Sequence, residues 1–234
     1  MNKLLTFGFL GLALTACSSS IDGEGVATSE KSFTVDQISN LNIACNCSVS
    51  IIPGNEVGIK VESHQNIIDN LKVDGKNGKL SISEDKQVGE VSAYDVFVYV
   101  TRDLRDIEVN KQTLLNVSGT LAVDDLNMKA SDQAKVDKLN LITNNLKLSV
   151  SDQAIVDISG SSVALIYKGS NQSKANLFDF ETNDAQIFTS DNAILEINSR
   201  KSLSGSAKGN SVVTYIGDPS KDTKITDNAQ VIKK

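Results

Sequence analysis

Four aspartates recur in this sequence at one or two multiples of an 18-to-20-residue spacing: Asp132, Asp152, Asp191 and Asp227, each after Ser or Thr and before Gln or Asn. Carboxylates in such a row could do two kinds of chemistry. Several oxygens within reach of one another could hold a hard cation such as Ca²⁺, with Asp132 and Asp152 as the pair on consecutive copies. Alternatively, two carboxyl groups could serve as acid and base on a glycosidic bond. Asn171 and Gly209 interrupt the row, so like charges meet mainly at Asp132 and Asp152, and the glycine-rich calcium repeat is absent. Asp and Asn in such tripeptides also act as turn residues, because their side chains bond nearby backbone amides and tolerate left-handed dihedrals. This structural reading takes precedence, so no residue is assigned as catalytic and no metal or other cofactor is expected.

The other reactive side chains are few. His64 is the sole histidine and lies in the polar stretch Ser63-His64-Gln65-Asn66, where an exposed loop histidine is expected. Any Ser-His-Asp triad would have to run through it, and no Gly-x-Ser-x-Gly elbow accompanies it. Cys45 and Cys47, two apart, would point to one face of a strand, with a Cα separation near the upper limit for a disulfide. Paired small core residues are the favoured expectation over a bridge, and a zinc site would need more ligands. The chain has four tyrosines and no tryptophan, which disfavours a glycan platform of stacked aromatics. Tyr167 and Tyr215, each two residues before a glycine, are expected to pack in the core or at an end rather than to share an edge.

Cys17 is a different case. Lys3, an apolar run from Leu4 to Leu14 and then Leu14-Thr15-Ala16-Cys17 read as a signal peptide, 1–16, ending in a lipobox. The run is too short for a mature membrane span. Alkylation of the Cys17 thiol, cleavage before it and acylation of the new amino terminus would supply two or three acyl chains. At about 0.8 kcal/mol per buried methylene, these hold a protein to a membrane durably where one chain does not. Ser18 after the cysteine points to an exported protein of the bacterial cell envelope, delivered to the outer membrane. Residues 17–32, rich in Ser, Gly and Glu, are expected to be the acylated cysteine and a flexible tether.

The net charge of the whole chain is −6, and removing Lys3 with the signal peptide makes the remainder more acidic still. With no Lys/Arg run longer than two residues, nucleic acid is excluded as a partner. The membrane, through the lipid, and a protein or glycan at the surface are the partners left; oligomeric state is not legible.

Positioning the aspartates requires a repeat. Copies beginning at residues 131, 151, 170, 190, 208 and 226 lie 18 to 20 residues apart, as in Ser131-Asp132-Gln133-Ala134-Lys135-Val136 and Ser151-Asp152-Gln153-Ala154-Ile155-Val156. That period is too short for a helical hairpin, and the apolar alternation inside each copy has period two. One such coil cannot bury its own apolar face, so coils stack in parallel about 4.8 Å apart. Proline is confined to Pro53 and Pro219, in keeping with ladders that use nearly every N–H. From Phe33 to Asn110 the strands are less periodic. A strand from Leu41 to Ile52 ends at Pro53-Gly54-Asn55, Val57–Glu62 and Tyr94–Thr101 follow the same alternation, and Asn77-Gly78 marks a hairpin. Gln65–Leu71 is the best helix candidate. These strands are expected to begin the same solenoid with wider coils, giving one domain, 33–234.

The opening strand running into Ile51-Ile52-Pro53-Gly54, the Ser-Gly pairs at Ser118-Gly119, Ser159-Gly160 and Ser204-Gly205, and the closing Tyr215-Ile216-Gly217-Asp218-Pro219 resemble the head-GIN family of auto-transporter adhesins. The resemblance implies an all-β, right-handed parallel β-helix-like solenoid with coils of about 18–20 residues, and an adhesin-type role. A non-enzymatic envelope adhesin or interaction protein is the first reading. A carbohydrate-active enzyme using surface carboxylates, and a passive structural lipoprotein, are the alternatives.

Overall fold

The computed structural model describes residues 20–234, so Cys17 and the signal segment lie outside the described residues. The chain forms a parallel β-solenoid of about six turns. Its elements are β1 (Ser29–Phe33), β2 (Asn40–Ala44), β3 (Ser48–Pro53), β4 (Gly58–Ser63), α1 (Gln65–Asn70), β5 (Leu71–Lys76), β6 (Lys79–Glu84) and β7 (Tyr94–Val100). They continue as β8 (Asp106–Asn110), β9 (Leu114–Val117), β10 (Thr120–Ala122), β11 (Asp125–Ala130), β12 (Lys135–Val150), β13 (Ile155–Gly169), β14 (Lys174–Thr189) and β15 (Ile194–Ala207). β16 (Val212–Ile216), β17 (Ser220–Ile225) and β18 (Gln230–Lys233) end the chain.

From β12 to β15 each coil is one long, bent strand, in register with the next on either side of a bulge near the bend, so residues stack in columns. Val136, Val156, Ala175, Leu195 and Val213 form one inward column, and all are buried. Burying a side chain of this kind contributes roughly 1.5–3 kcal/mol, and the column works because period-two alternation sends every second side chain into the lumen. Tyr167 belongs to this core, with no exposed surface. Gly169 makes room for it, since a Cβ there would meet the phenol oxygen at 2.6 Å. Tyr215 stacks in a different column, beside Ile197, so the two tyrosines do not share an edge.

The order of the first coils in the stack departs from their order in the chain. β2 lies between β6 and β8, and β3 between β7 and β9. The chain thus lays down an inner coil first, travels to the end through β4, α1 and β5, and returns along β6 and β7. The end strands run antiparallel, β5 on β6 and β4 on β7, with β1 on β4, and α1 buries Ile67 and Ile68 there. The Asn77-Gly78 turn joins β5 to β6 with positive φ at both residues, 52° and 76°. At the other end β17 and β18 are mostly exposed and carry Lys221, Lys224 and Lys233, the charged edge that discourages further strand addition.

Three expectations are corrected. From residue 20 onward the expected tether is part of the fold: Ile21 bridges Val88, its carbonyl accepts from Gly89, and β1 completes an edge of the sheet. Its Ser, Gly and Glu content reflects an exposed edge position rather than freedom. The predicted strand from Leu41 to Ile52 breaks at residues 45–47, where the chain turns a corner, and there Cys45 and Cys47 form a disulfide with a Cα separation of 5.3 Å. A straight strand would hold them farther apart; the corner brings them within range. His64 is no exposed loop residue but is 4% exposed. Its Nε2 accepts from the Ser92 amide at 3.2 Å, which places the ring proton on Nδ1, 3.3 Å from the Glu24 carbonyl. With Asn66 Nδ2 donating to the Asp22 carbonyl, the histidine clasps the N-terminal segment to the end of the solenoid.

Candidate functional site

The aspartate row is real, and it forms a corner. Asp132, Asp152, Asp191 and Asp227 have φ of 59–60°, and Asn171 (58°) and Gly209 (72°) fill the intervening rungs in the same left-handed conformation. Asp, Asn and Gly are the residues that enter this region at least cost, which explains their choice. Lys111, at φ 57°, starts the row and was not recognised in the sequence. The signal was there: Lys111-Gln112-Thr113 keeps the Gln and the small residue of Asp132-Gln133-Ala134 at a spacing of one coil.

The carboxylates are engaged by the neighbouring rung. Asp132 Oδ2 accepts the Lys111 amide at 3.0 Å, Asp191 Oδ2 the Asn171 amide at 3.3 Å, and Asp227 Oδ2 the Gly209 amide at 3.0 Å. Asp152 accepts Ser151 Oγ at 2.9 Å and Asn171 Nδ2 at 2.8 Å. The Ser190 hydroxyl, and after it the Asn171 amide, hold the Asp191 carboxyl below the usual carboxylate range, with Lys208 a lesser influence. Beside the row runs an amide ladder, Asn228 donating to Asn210 and Asn210 to Asn192 at 3.2 and 3.3 Å. Among the described residues no group of three or more His, Cys, Asp or Glu side chains could hold a metal ion.

Glycines mark other close approaches between rungs, Gly205 within the straight segment of its coil in the column of Leu148, Tyr167 and Ile187. At Gly160, Gly205 and Gly217, φ is 111°, 118° and 97°, and a Cβ would fall 2.0–2.1 Å from the carbonyl oxygen of the preceding rung. Only glycine allows that approach.

A polar hollow of about 350 Å³ opens where the row meets the disulfide corner, between Glu84, Asn46, Lys111 and Asp132. Glu84 Oε1 accepts the Asn46 amide at 2.9 Å. Burial pushes the Glu84 carboxyl up, against the pull of that amide and of Lys111. Tyr94 faces Glu84 from below, and burial chiefly, with the carboxylate second, pushes its phenol up. His64 and Ser92 lie elsewhere, at the capped end, with Ser92 Oγ 2.9 Å from Nε2. A backbone carbonyl stands where a triad would need a carboxylate, so this pair does not reproduce the hydrolase arrangement.

What the fold repeats, therefore, is surface. Each rung adds one row of outward side chains to long faces whose spacing is fixed by the ladder, and the molecule is a parallel β-solenoid. The chain belongs to the family described as "Putative auto-transporter adhesin, head GIN domain", whose model matches residues 38–219. It is similar to the crystal structure of a "putative adhesin" from Bacteroides fragilis, with a TM-score of 0.83 at 14% identity, covering 92% of this chain and 100% of that one. A "putative adhesin" from Parabacteroides merdae matches with a TM-score of 0.65 at 15% identity, covering 92% and 98%. A "putative lipid binding protein" from Parabacteroides distasonis matches with a TM-score of 0.72 at 14% identity, covering 92% and 99%. At these identities the likeness carries the fold. No curated protein is detectably similar in sequence. Among the described residues no helix is long and apolar enough to cross a membrane.

Proposed function

We propose that this chain is an exported envelope lipoprotein, acylated on Cys17 and held at the outer membrane, whose solenoid presents its faces to a protein or glycan partner without turning over a substrate. The observation that supports this most directly is the corner ladder. The periodic aspartates, the sequence's best candidates for chemistry, bond the amides of neighbouring rungs, and the residues left to face solvent are regular rows suited to contact. Family membership adds the adhesin-like role, and Leu14-Thr15-Ala16-Cys17 adds the anchor.

Two experiments test the reading. Cells fed an alkyne-bearing palmitate should label the wild-type chain and leave Cys17→Ala unlabelled; label on the variant would refute the anchor. Crosslinking in intact cells, with and without external protease, should capture a defined partner. A polysaccharide-cleaving activity lost in Asp132→Asn or Asp152→Asn would overturn the non-enzymatic reading.

A further inference from the structure

The charge of this acidic protein is unevenly spread over its two broad outward faces. On the face containing residues 135–137 and 155–157, Asp157 and Glu196 stand in one column with Asn176 between them, and Asp137 lies on the preceding rung where the register shifts. The other face is different along the rungs 147–151, 166–170, 186–190 and 204–208. Its outward side chains there are Lys147, Lys168, Lys208, Ile166, Gln186, Phe188 and serines, with no carboxylate among them. Carboxylates return on every side: at Asp106 and Glu108, at Asp222, and at Asp184, which is exposed on the same rung two residues before Gln186 and accepts from Ser202 Oγ at 2.7 Å. Asp152 and Asp191 border the stripe at the corner, but their oxygens are engaged by Ser151, Ser190 and Asn171.

None of Lys147, Lys168 and Lys208 forms a salt bridge among the described residues. In a chain with a net charge of −6, three cations outside any salt bridge gather on this strip, with Lys208 near enough to Asp191 to act on its carboxyl. Part of the strip is concave. A hollow of about 370 Å³ is lined by Phe188, 37% exposed, by Lys168 on the adjacent rung of its column, and by Lys208. Ser149, Ser170 and Ser206 line it with hydroxyls.

We infer that this strip binds an anionic polysaccharide of the carboxylate-bearing kind. This rests on the display function proposed above and names its partner class. Lysines supply the counter-charge, serine hydroxyls and Gln186 exchange hydrogen bonds with sugar hydroxyls, and the Phe188 ring offers an apolar face to a pyranose. Lys168 and Lys208 stand two rungs apart, about 10 Å along the axis, a spacing that the carboxylates of every second sugar along a polyuronate can match. A nucleic acid, with its denser phosphates, would meet too few cations here and too much net negative charge around them. A bilayer would call for protruding aliphatics, whereas the aromatic group sits in a hollow.

The test uses the full chain carrying Cys17→Ala, so that acylation plays no part, titrated with polygalacturonate, with its fully methyl-esterified form, and with vesicles of phosphatidylglycerol and phosphatidylcholine. Polygalacturonate should bind, more weakly at high salt, and the uncharged ester should not. The triple variant Lys147→Gln/Lys168→Gln/Lys208→Gln should bind about tenfold more weakly, as expected for losing three exposed charge contacts. Lys135→Gln/Lys174→Gln, on the other face, should bind as wild type. Equal binding of acid and ester, equal loss in both lysine variants, binding to the vesicles alone, or no binding at all would each overturn the inference. If polygalacturonate fails while crosslinking in cells still captures a partner, only this inference falls; if both fail, the display function falls with it.

Discussion

The close approaches at glycine give the sharpest test of the rung geometry. At Gly160 a new Cβ would sit 2.1 Å from the Leu141 carbonyl oxygen, 2.9 Å from its carbon and 3.1 Å from Asn140 Oδ1. Gly160→Ala therefore forces β12 and β13 apart by about 1 Å to reach ordinary van der Waals distance, which stretches ladder bonds worth about 0.5–1.5 kcal/mol each. The residue also sits at φ 111°, a conformation that costs a side chain on the order of 1–3 kcal/mol. Together these give roughly 3–5 kcal/mol of destabilisation. Gly119→Ala is the control, because φ there is 96° yet nothing lies within 4 Å of the new Cβ. It carries the conformational cost alone, about 1–3 kcal/mol. Equilibrium urea unfolding followed by far-UV circular dichroism should place the midpoint of Gly160→Ala well below that of Gly119→Ala. Equal midpoints would mean that rung contact does not require the glycine, and the account of these close approaches would be wrong.

Two further outcomes follow from other elements. Burial raises the Glu84 pKa above its unfolded value, so the stability from its protonated form is fully present below the unfolded pKa and is lost as pH rises through the folded one. Thermal denaturation should accordingly show Glu84→Gln gaining on wild type between about pH 4, where an unfolded Glu titrates, and neutrality; a constant difference across that range would refute the burial argument. In chain unfolded without reductant, Cys45 and Cys47 should resist maleimide labelling and become reactive after reduction, as read by mass spectrometry.

Much of this protein was legible before any coordinates. The 18-to-20-residue period, the turn chemistry of Ser-Asp-Gln-Ala and the apolar alternation are local properties, and local properties determine a coil, its corner and the need to stack. The Asn77-Gly78 hairpin and the helix at Gln65–Asn70 were legible for the same reason. The outward lysine and serine row was also written in the alternation of Lys147, Ser149 and Ser151 with Leu146, Leu148 and Val150, although its neighbours on other rungs were not.

What tertiary structure alone decided is which distant segments meet. The placement of β2 and β3 inside the stack depends on β6 and β7 returning from the capped end, a pairing that no local pattern encodes. The Cys45–Cys47 bridge depends on a corner that interrupts what reads as one strand. His64 is buried because the segment from Asp22 to Glu24, some forty residues earlier, folds over it and offers a carbonyl to its ring. The sequence by itself determined the repeating coil, because short-range sterics and alternation act within each copy. The order of the coils, the closed end and the engagement of the aspartates were decided by contacts between rungs, whose energies belong to pairs of residues far apart in the chain.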